Sequence, residues 1–251
     1  MNEDVGELEI HAPPRGRGRQ DIDASPLPGV VQGDSLRAMD ARLTALARAG
    51  AAAAVAGEAA VRKEIDSALA AGVAAAALHE ALLQSYLFVG YPRAINALIA
   101  LADARGTDRP DPDTLRDASP ADLAVWRERG ERLCRQIYGE STVRLQANIA
   151  ALHPDLADWM VVEGYGKVLS RPQLGPRERE LAVLGILAAD VQLRQLESHV
   201  RGALRVGATP DEARDAVRAG LEVACVHRPS IDRDGILALT ERVIEKELAS
   251  E

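Results

Sequence analysis

Within the run GPRERELAVLGILAADVQLRQLESHVRGALRVGATPDE, from Gly175 to Glu212, two side chains have the types that move protons. They are the carboxylate of Glu180 and the imidazole of His199. The run reads as two helices that meet at a break near Asp190 and Val191, with a third helix starting at its end. Glu180 and His199 lie almost equally far from the break, and antiparallel helices joined by a tight turn bring such positions side by side. A carboxylate facing an imidazole fixes its tautomer. Such a pair delivers or removes a proton, a contribution of roughly 10²- to 10⁴-fold in rate. Gln195 stands four residues before His199 on the same helix face, where its amide can hold a carbonyl. A Glu and a His meeting between helices is equally an ordinary structural pair, and the residues alone admit both readings. His79 either lines the same pocket or starts a helix in solvent. Tyr86 and Tyr91 offer hydroxyls and also fit packing at a core rim. His153 and His227, each beside a proline-containing break, read as turn or loop residues. No His, Cys, Asp and Glu set has metal-ligand spacing, so no metal is expected.

The elements that must hold these residues are helical. The chain of 251 residues is rich in Ala and Leu and has a single Phe. No alternating apolar pattern lasts for the length of a strand, which predicts an all-α fold. Leu36, Met39, Leu43 and Leu46 recur at helical spacing over 35–49, with Asp34 or Ser35 as cap. Ala51 to Gly57 reads as close helix packing or a loose turn. Further helices are expected from Glu58 to Gly72, from Ala74 to Gly90, and again after Pro92. Ser119 and Pro120 read as the cap and first position of another helix, and Pro154 breaks the one over 141–160. Gly164-Tyr165-Gly166-Lys167 lacks the first glycine of a phosphate loop and reads as a turn. Thr209-Pro210-Asp211-Glu212 is a capping-box start.

Composition excludes several functions. A formal net charge of −8 argues against nucleic-acid binding, which needs clustered cations. Arg15, Arg17 and Arg19 are three cations in an acidic chain and do not change that. No apolar run reaches the roughly 20 residues of a membrane span. The first residues lack the layout of a signal peptide. Two solitary cysteines, Cys134 and Cys225, suggest a reducing compartment, and the cytoplasm is the expected location.

The chain repeats itself. Ala68-Leu69-Ala70-Ala71-Gly72 matches Ala203-Leu204-Arg205-Val206-Gly207. The offset that carries Gly72 onto Gly207 also places Glu64 opposite His199 and Glu80 opposite Asp215. The expected organisation is a flexible arm over 1–30, a first helical repeat over 31–104, a Pro- and Asp-rich linker over 105–120 and a second repeat over 121–251.

Three stretches resemble the carboxymuconolactone decarboxylase and AhpD-like superfamily. Ser170-Arg171-Pro172-Gln173-Leu174 looks like the "SRPGL" segment of the lactone decarboxylases. Arg179-Glu180-Leu181, His199, Ala203-Leu204 and Gly207-Ala208-Thr209 with Asp211-Glu212 follow the core motif. Glu80-Ala81-Leu82-Leu83-Gln84 with Tyr86, Gly90 and Pro92 looks like a further family element. Together they span about 35–225. The resemblance implies an AhpD-like fold of two diverged helical repeats and assembly into homo-oligomers, trimers or hexamers. The peroxidase branch carries a CxxC pair between the Glu and the His, and by spacing those positions are Gln192 and Gln195 here. Glutamine forms no thiolate, so that redox activity is expected to be absent.

The lactone decarboxylases imply decarboxylation or isomerisation of a small carboxylated lactone or keto acid, without a cofactor. His199 is then the expected proton donor and Glu180 its partner. Gln195 and Gln192 are expected near the substrate, with Arg171 or Arg201 holding its carboxylate. Two other classes stand beside this one. The first is a non-catalytic helical scaffold or ligand-binding protein. The second is a thiol peroxidase using Cys134 or Cys225.

Overall fold

The computed structural model describes residues 39–106 and 122–250. The N-terminal arm with its three arginines, the caps at Asp34 or Ser35, most of the 105–120 linker and the helix start at Ser119 and Pro120 lie outside the described residues. Within them every regular element is a helix and none is a strand. No helix is long and apolar enough to cross a membrane.

α1 (Ala41–Val55) begins at Asp40, whose Oδ1 accepts from the Arg42 backbone N–H at 2.9 Å. The helix starts later and ends later than the pattern over 35–49 predicts. It absorbs the alanine run, with Ala51 to Ala54 all buried. Methyl-sized side chains let another helix come close. That helix is α9 (Pro176–Asp190), which is buried continuously from Arg179 to Ala189 and forms the centre of the fold. The two are so near that a Cβ on Gly185 would lie 2.4 Å from the Ala47 carbonyl oxygen. α9 ends where predicted. Val191 follows it in the left-handed conformation, and its backbone N–H bonds to the Ala188 and Leu187 carbonyls.

α2 (Glu58–Ala70) and α3 (Ala75–Gln84) follow α1, separated by Gly72 at φ 80°. The expected long helix through LLQSYLFVG is interrupted at Ser85. A short α4 (Tyr86–Val89) and then α5 (Tyr91–Arg105) complete this half. α10 (Leu193–Arg205), α11 (Pro210–His227) and α12 (Arg233–Leu248) follow α9. α11 carries the predicted capping box between Thr209 and Glu212. Helices from both halves share one core, from Met39 to Leu101 and from Leu174 to Ile244.

Element boundaries recur at a single offset, the one that separates Gly72 from Gly207. It carries both ends of α1 onto those of α9, both ends of α2 onto those of α10, and the start of α3 onto the start of α11. The two glycines themselves share a left-handed backbone, with φ 80° and 95°.

Between the halves lie α6 (Leu123–Tyr138), α7 (Thr142–Leu152), α8 (Pro154–Trp159) and a π-helical stretch, Met160–Leu169. The segment 164–167, expected to be a turn, is helical. The reason lies in its neighbour. A Cβ on Gly166 would sit 1.9 Å from the Trp126 carbonyl oxygen, and one on Gly130 would sit 2.0 Å from that of Val161. The glycines let α6 and the π-helical stretch touch backbone to backbone, and no reversal of direction is involved. Leu133, Cys134, Ile137 and Tyr138 pack there against Val161, Tyr165 and Leu169 as a second core cluster.

A candidate proton-transfer site

Glu180 lies in the first turns of α9, which α10 follows after a break at Val191 and Gln192. The hairpin brings Glu180 against His199, and His199 Nδ1–H donates to Glu180 Oε2 at 2.7 Å. Both are buried, with 2% of Glu180 and 7% of His199 accessible. A charge-assisted bond of this length in a dry setting holds the imidazole in one orientation and one tautomer. Nε2 has no partner among the described residues. The Phe88 ring meets the imidazole edge to face at 5.6 Å between centroids and restricts it from the other side.

His199 lines a cavity of about 630 Å³. α10 gives this cavity a strip of four polar side chains, Arg194, Gln195, Ser198 and His199, at the i, i+4 spacing of one helix face. The π-helical stretch supplies the facing wall. Met160, Tyr165 and Leu169 are spaced by five and then four residues, which keeps them on one side of a helix with i→i+5 bonds. Tyr138 on α6 joins them, and its hydroxyl shares a hydrogen bond with that of Tyr165. Burial pushes both phenols above their usual range, and the nearby Glu180 carboxylate adds to the effect. Both are therefore neutral hydroxyls at neutral pH, and because one donates to the other, one O–H of the pair remains as a donor. On the α4 side, the Tyr86 hydroxyl donates to Glu163 Oε1 at 3.0 Å and its ring stacks on Tyr91 at 4.9 Å.

The sequence-based candidates divide between this cavity and other places. Glu180, His199, Gln195 and Tyr86 are brought together at it. Gln192 lies at the start of α10, exposed, with its amide donating to Asp190 Oδ2 at 2.9 Å. Arg201 is paired with Glu197 one turn earlier. Arg171 points to a different centre. Its guanidinium donates to both oxygens of Glu80, with Nη2 to Oε1 at 2.8 Å and Nε to Oε2 at 3.0 Å. Arg179 Nη2 donates to the same Glu80 Oε2 at 2.9 Å, and Nη1 reaches Gln84 Oε1 at 3.2 Å. The first and third stretches of the family resemblance therefore meet in one buried ion cluster, tied by Arg179 of the second. His79 stands half-buried beside this cluster, where burial pushes its imidazole below the usual range.

Sequence reasoning missed Arg194, Ser198, Tyr138, Tyr165 and Gly202. Gly202 stands one turn after His199, where a Cβ would lie 2.8 Å from Ile137 Cγ2 and 3.1 Å from Glu180 Oε2. The space beside the carboxylate exists because that residue has no side chain. The i, i+4 spacing of Arg194 and Ser198 was a signal available in the sequence. Nothing local marked the tyrosines. Among the described residues no group of three or more His, Cys, Asp and Glu side chains is placed to hold a metal ion.

The model described as the carboxymuconolactone decarboxylase family matches residues 154–228, which run from α8 through α11 and include both Glu180 and His199. Over 148 residues the chain is 33% identical to "Peroxisomal protein 2" of Schizosaccharomyces pombe (strain 972 / ATCC 24843), a match that covers 59% of this chain and 68% of the relative. With its all-helical AhpD-like fold, the chain belongs to the carboxymuconolactone decarboxylase family.

Proposed function

We propose that the protein is an acid–base enzyme that needs no cofactor and releases CO₂ from a carboxylated lactone or keto acid. The observation that carries this is the His199 to Glu180 hydrogen bond at the wall of a cavity, with the second imidazole nitrogen left without a protein partner among the described residues. In the reaction the C–CO₂ bond breaks and its electron pair moves onto the adjacent carbonyl as an enolate. The paired hydroxyls of Tyr138 and Tyr165 are neutral, and the one O–H that their mutual hydrogen bond leaves over is suited to the enolate oxygen. His199 then gives its Nε2 proton to the carbon that lost CO₂, and Glu180 stabilises the imidazolium before that transfer. Gln195 is the amide nearest to His199 on the same helix face.

The recurrence of element boundaries supports two copies of one helical unit, with one working site per chain. At the offset that relates the two units, Glu64 replaces His199 and Ala45 replaces Glu180. Glu64 there accepts from Arg48 Nε at 2.8 Å. An ion pair thus occupies the position that the second unit uses for the imidazole. Assembly into trimers or hexamers is supported by large apolar side chains left in solvent, such as Val143 and Leu152. The thiol chemistry of the peroxidase branch has little support. Burial pushes the Cys134 thiol up to about 12, and both cysteines are free and unmatched to the motif. Two free thiols agree with a reducing compartment, the cytoplasm in this reading.

Screening carboxylated lactones and β-keto acids for CO₂ release identifies the substrate. The His199→Ala variant is expected to lose roughly 10²- to 10⁴-fold in kcat while remaining folded by circular dichroism. Unchanged turnover in that variant would contradict the role given to His199, and no CO₂ release from any of these compounds by the unsubstituted protein would favour a ligand-binding or scaffold role.

A further inference from the structure

The chain has only seven aromatic side chains: four Tyr, two Trp and one Phe. Six of them line one cavity: Tyr86, Phe88, Tyr91, Tyr138, Trp159 and Tyr165. The main core does without them. Its buried members are Ala, Leu, Val and Ile with a single Met, and Phe88 is the one ring packed against them. Aromatic side chains ordinarily go to the core, where their large apolar area is most useful. Here they converge on one space from α4, α5, α6, α8 and the π-helical stretch. Two rings are not used up by the fold: Tyr91 is 59% and Trp159 57% accessible.

The charge around the cavity is also specific. Arg194 lines it, is exposed, and has no carboxylate partner among the described residues. The other arginines considered for an anion are engaged, Arg171 with Glu80 and Arg201 with Glu197. The one carboxylate that the cavity wall adds, Glu163, accepts from the Tyr86 hydroxyl. A volume of about 630 Å³ lies within the range of roughly 300–1,000 Å³ typical of sites for drug-sized ligands. A small lactone would leave most of it empty.

We infer that the cavity takes an aromatic carboxylic acid of two or more rings, its π-system between the tyrosines and Trp159 and its carboxylate on Arg194. This rests on the same cavity being the working site proposed above and adds the class of molecule it accepts. A reacting carbonyl, with the carboxylate that leaves as CO₂ beside it, would lie at the His199 end, and a second, anchoring carboxylate at the Arg194 end. These residues are five apart on α10, about 7.5 Å along its axis and about 140° around it, so the molecule would span from one to the other.

The test is calorimetric titration with three probes of similar size: biphenyl-4-carboxylate, the neutral biphenyl-4-methanol and the aliphatic dodecanoate. Biphenyl-4-carboxylate is expected to bind at least about tenfold more tightly than dodecanoate. Trp159→Leu should weaken both biphenyl probes by about threefold to tenfold and change dodecanoate by less than about twofold. Arg194→Gln should weaken biphenyl-4-carboxylate by about fivefold or more and leave biphenyl-4-methanol nearly unchanged. Dodecanoate binding as tightly as the aromatic acid, or no binding of either biphenyl probe, would overturn the inference. Binding of biphenyl-4-carboxylate is read on the unsubstituted protein, on Trp159→Leu and on Arg194→Gln, whatever turnover the His199 variants retain. Binding therefore reports on the ligand class alone, and turnover of the His199 variants reports on proton transfer alone.

Discussion

Gly202 sits against the Glu180 carboxylate with room for no added carbon. Gly202→Ala should push that carboxylate away from His199 and also crowd Ile137. The expected outcome is a fall in kcat of about tenfold or more with a loss of about 1–3 kcal/mol of stability, measured by turnover and urea unfolding. A variant with full activity would show that the spacing is slack. Cys134 gives a second prediction at this scale. Its ordinary value is 9.0 and burial raises it to about 12. The thiol stays protonated in the folded protein at pH 8, so iodoacetamide should label Cys134 only after unfolding in urea. The sign for stability follows. Below about pH 9 the contribution of this buried thiol is fully present, and it is lost as pH rises toward about 12, because the unfolded chain ionises first. The Glu180 and His199 pairing was legible because equal distances from a helix break translate directly into contact. The role of Arg171 was not, because its partner Glu80 lies 91 residues away in the sequence. Only the folded chain shows that its charge is already engaged.

At the scale of elements, α9 fixes the site by being buried on every side. Its neighbouring residues Arg179 and Glu180 face different partners, Glu80 on α3 and His199 on α10. Removing one member of a buried ion cluster leaves the others uncompensated. Glu80→Gln should therefore cost about 3–5 kcal/mol in chemical denaturation, because Arg171 and Arg179 lose the carboxylate they share. A cost below about 1 kcal/mol would mean that water replaces the carboxylate. The helices themselves were readable from caps and glycines: Gly72, Gly207 and the Thr209 capping box mark real ends. The π-helical stretch was not readable. Gly164 and Gly166 carry the same local signal whether they make a turn or a close helix contact. Only the approach of α6 decides between them.

At the scale of the molecule, the offset that carries Gly72 onto Gly207 also carries the bounds of α1 and α2 onto those of α9 and α10, and the sequence shows it only where Ala68-Leu69 and Gly72 recur as Ala203-Leu204 and Gly207. α6 to α8 and the π-helical stretch lie between the helices so related and build one wall of the cavity. Exposed apolar side chains on α5, Ile95 and Ile99 at 51% and 49%, lie four apart on one face. Val143 and Leu152 on α7 are exposed as well, and the proposed trimer or hexamer would cover such side chains. Sedimentation equilibrium should give three or six times the 26.8 kDa of one chain. A monomer at micromolar concentration would rule that assembly out.

The most direct test of the proton relay is CO₂ release in D₂O by the unsubstituted protein and by His199→Gln, side by side on the identified substrate. A working relay puts one deuterium on the carbon that lost CO₂ and makes the variant slower by at least about 10²-fold. Equal rates and equal labelling in the two proteins would contradict it.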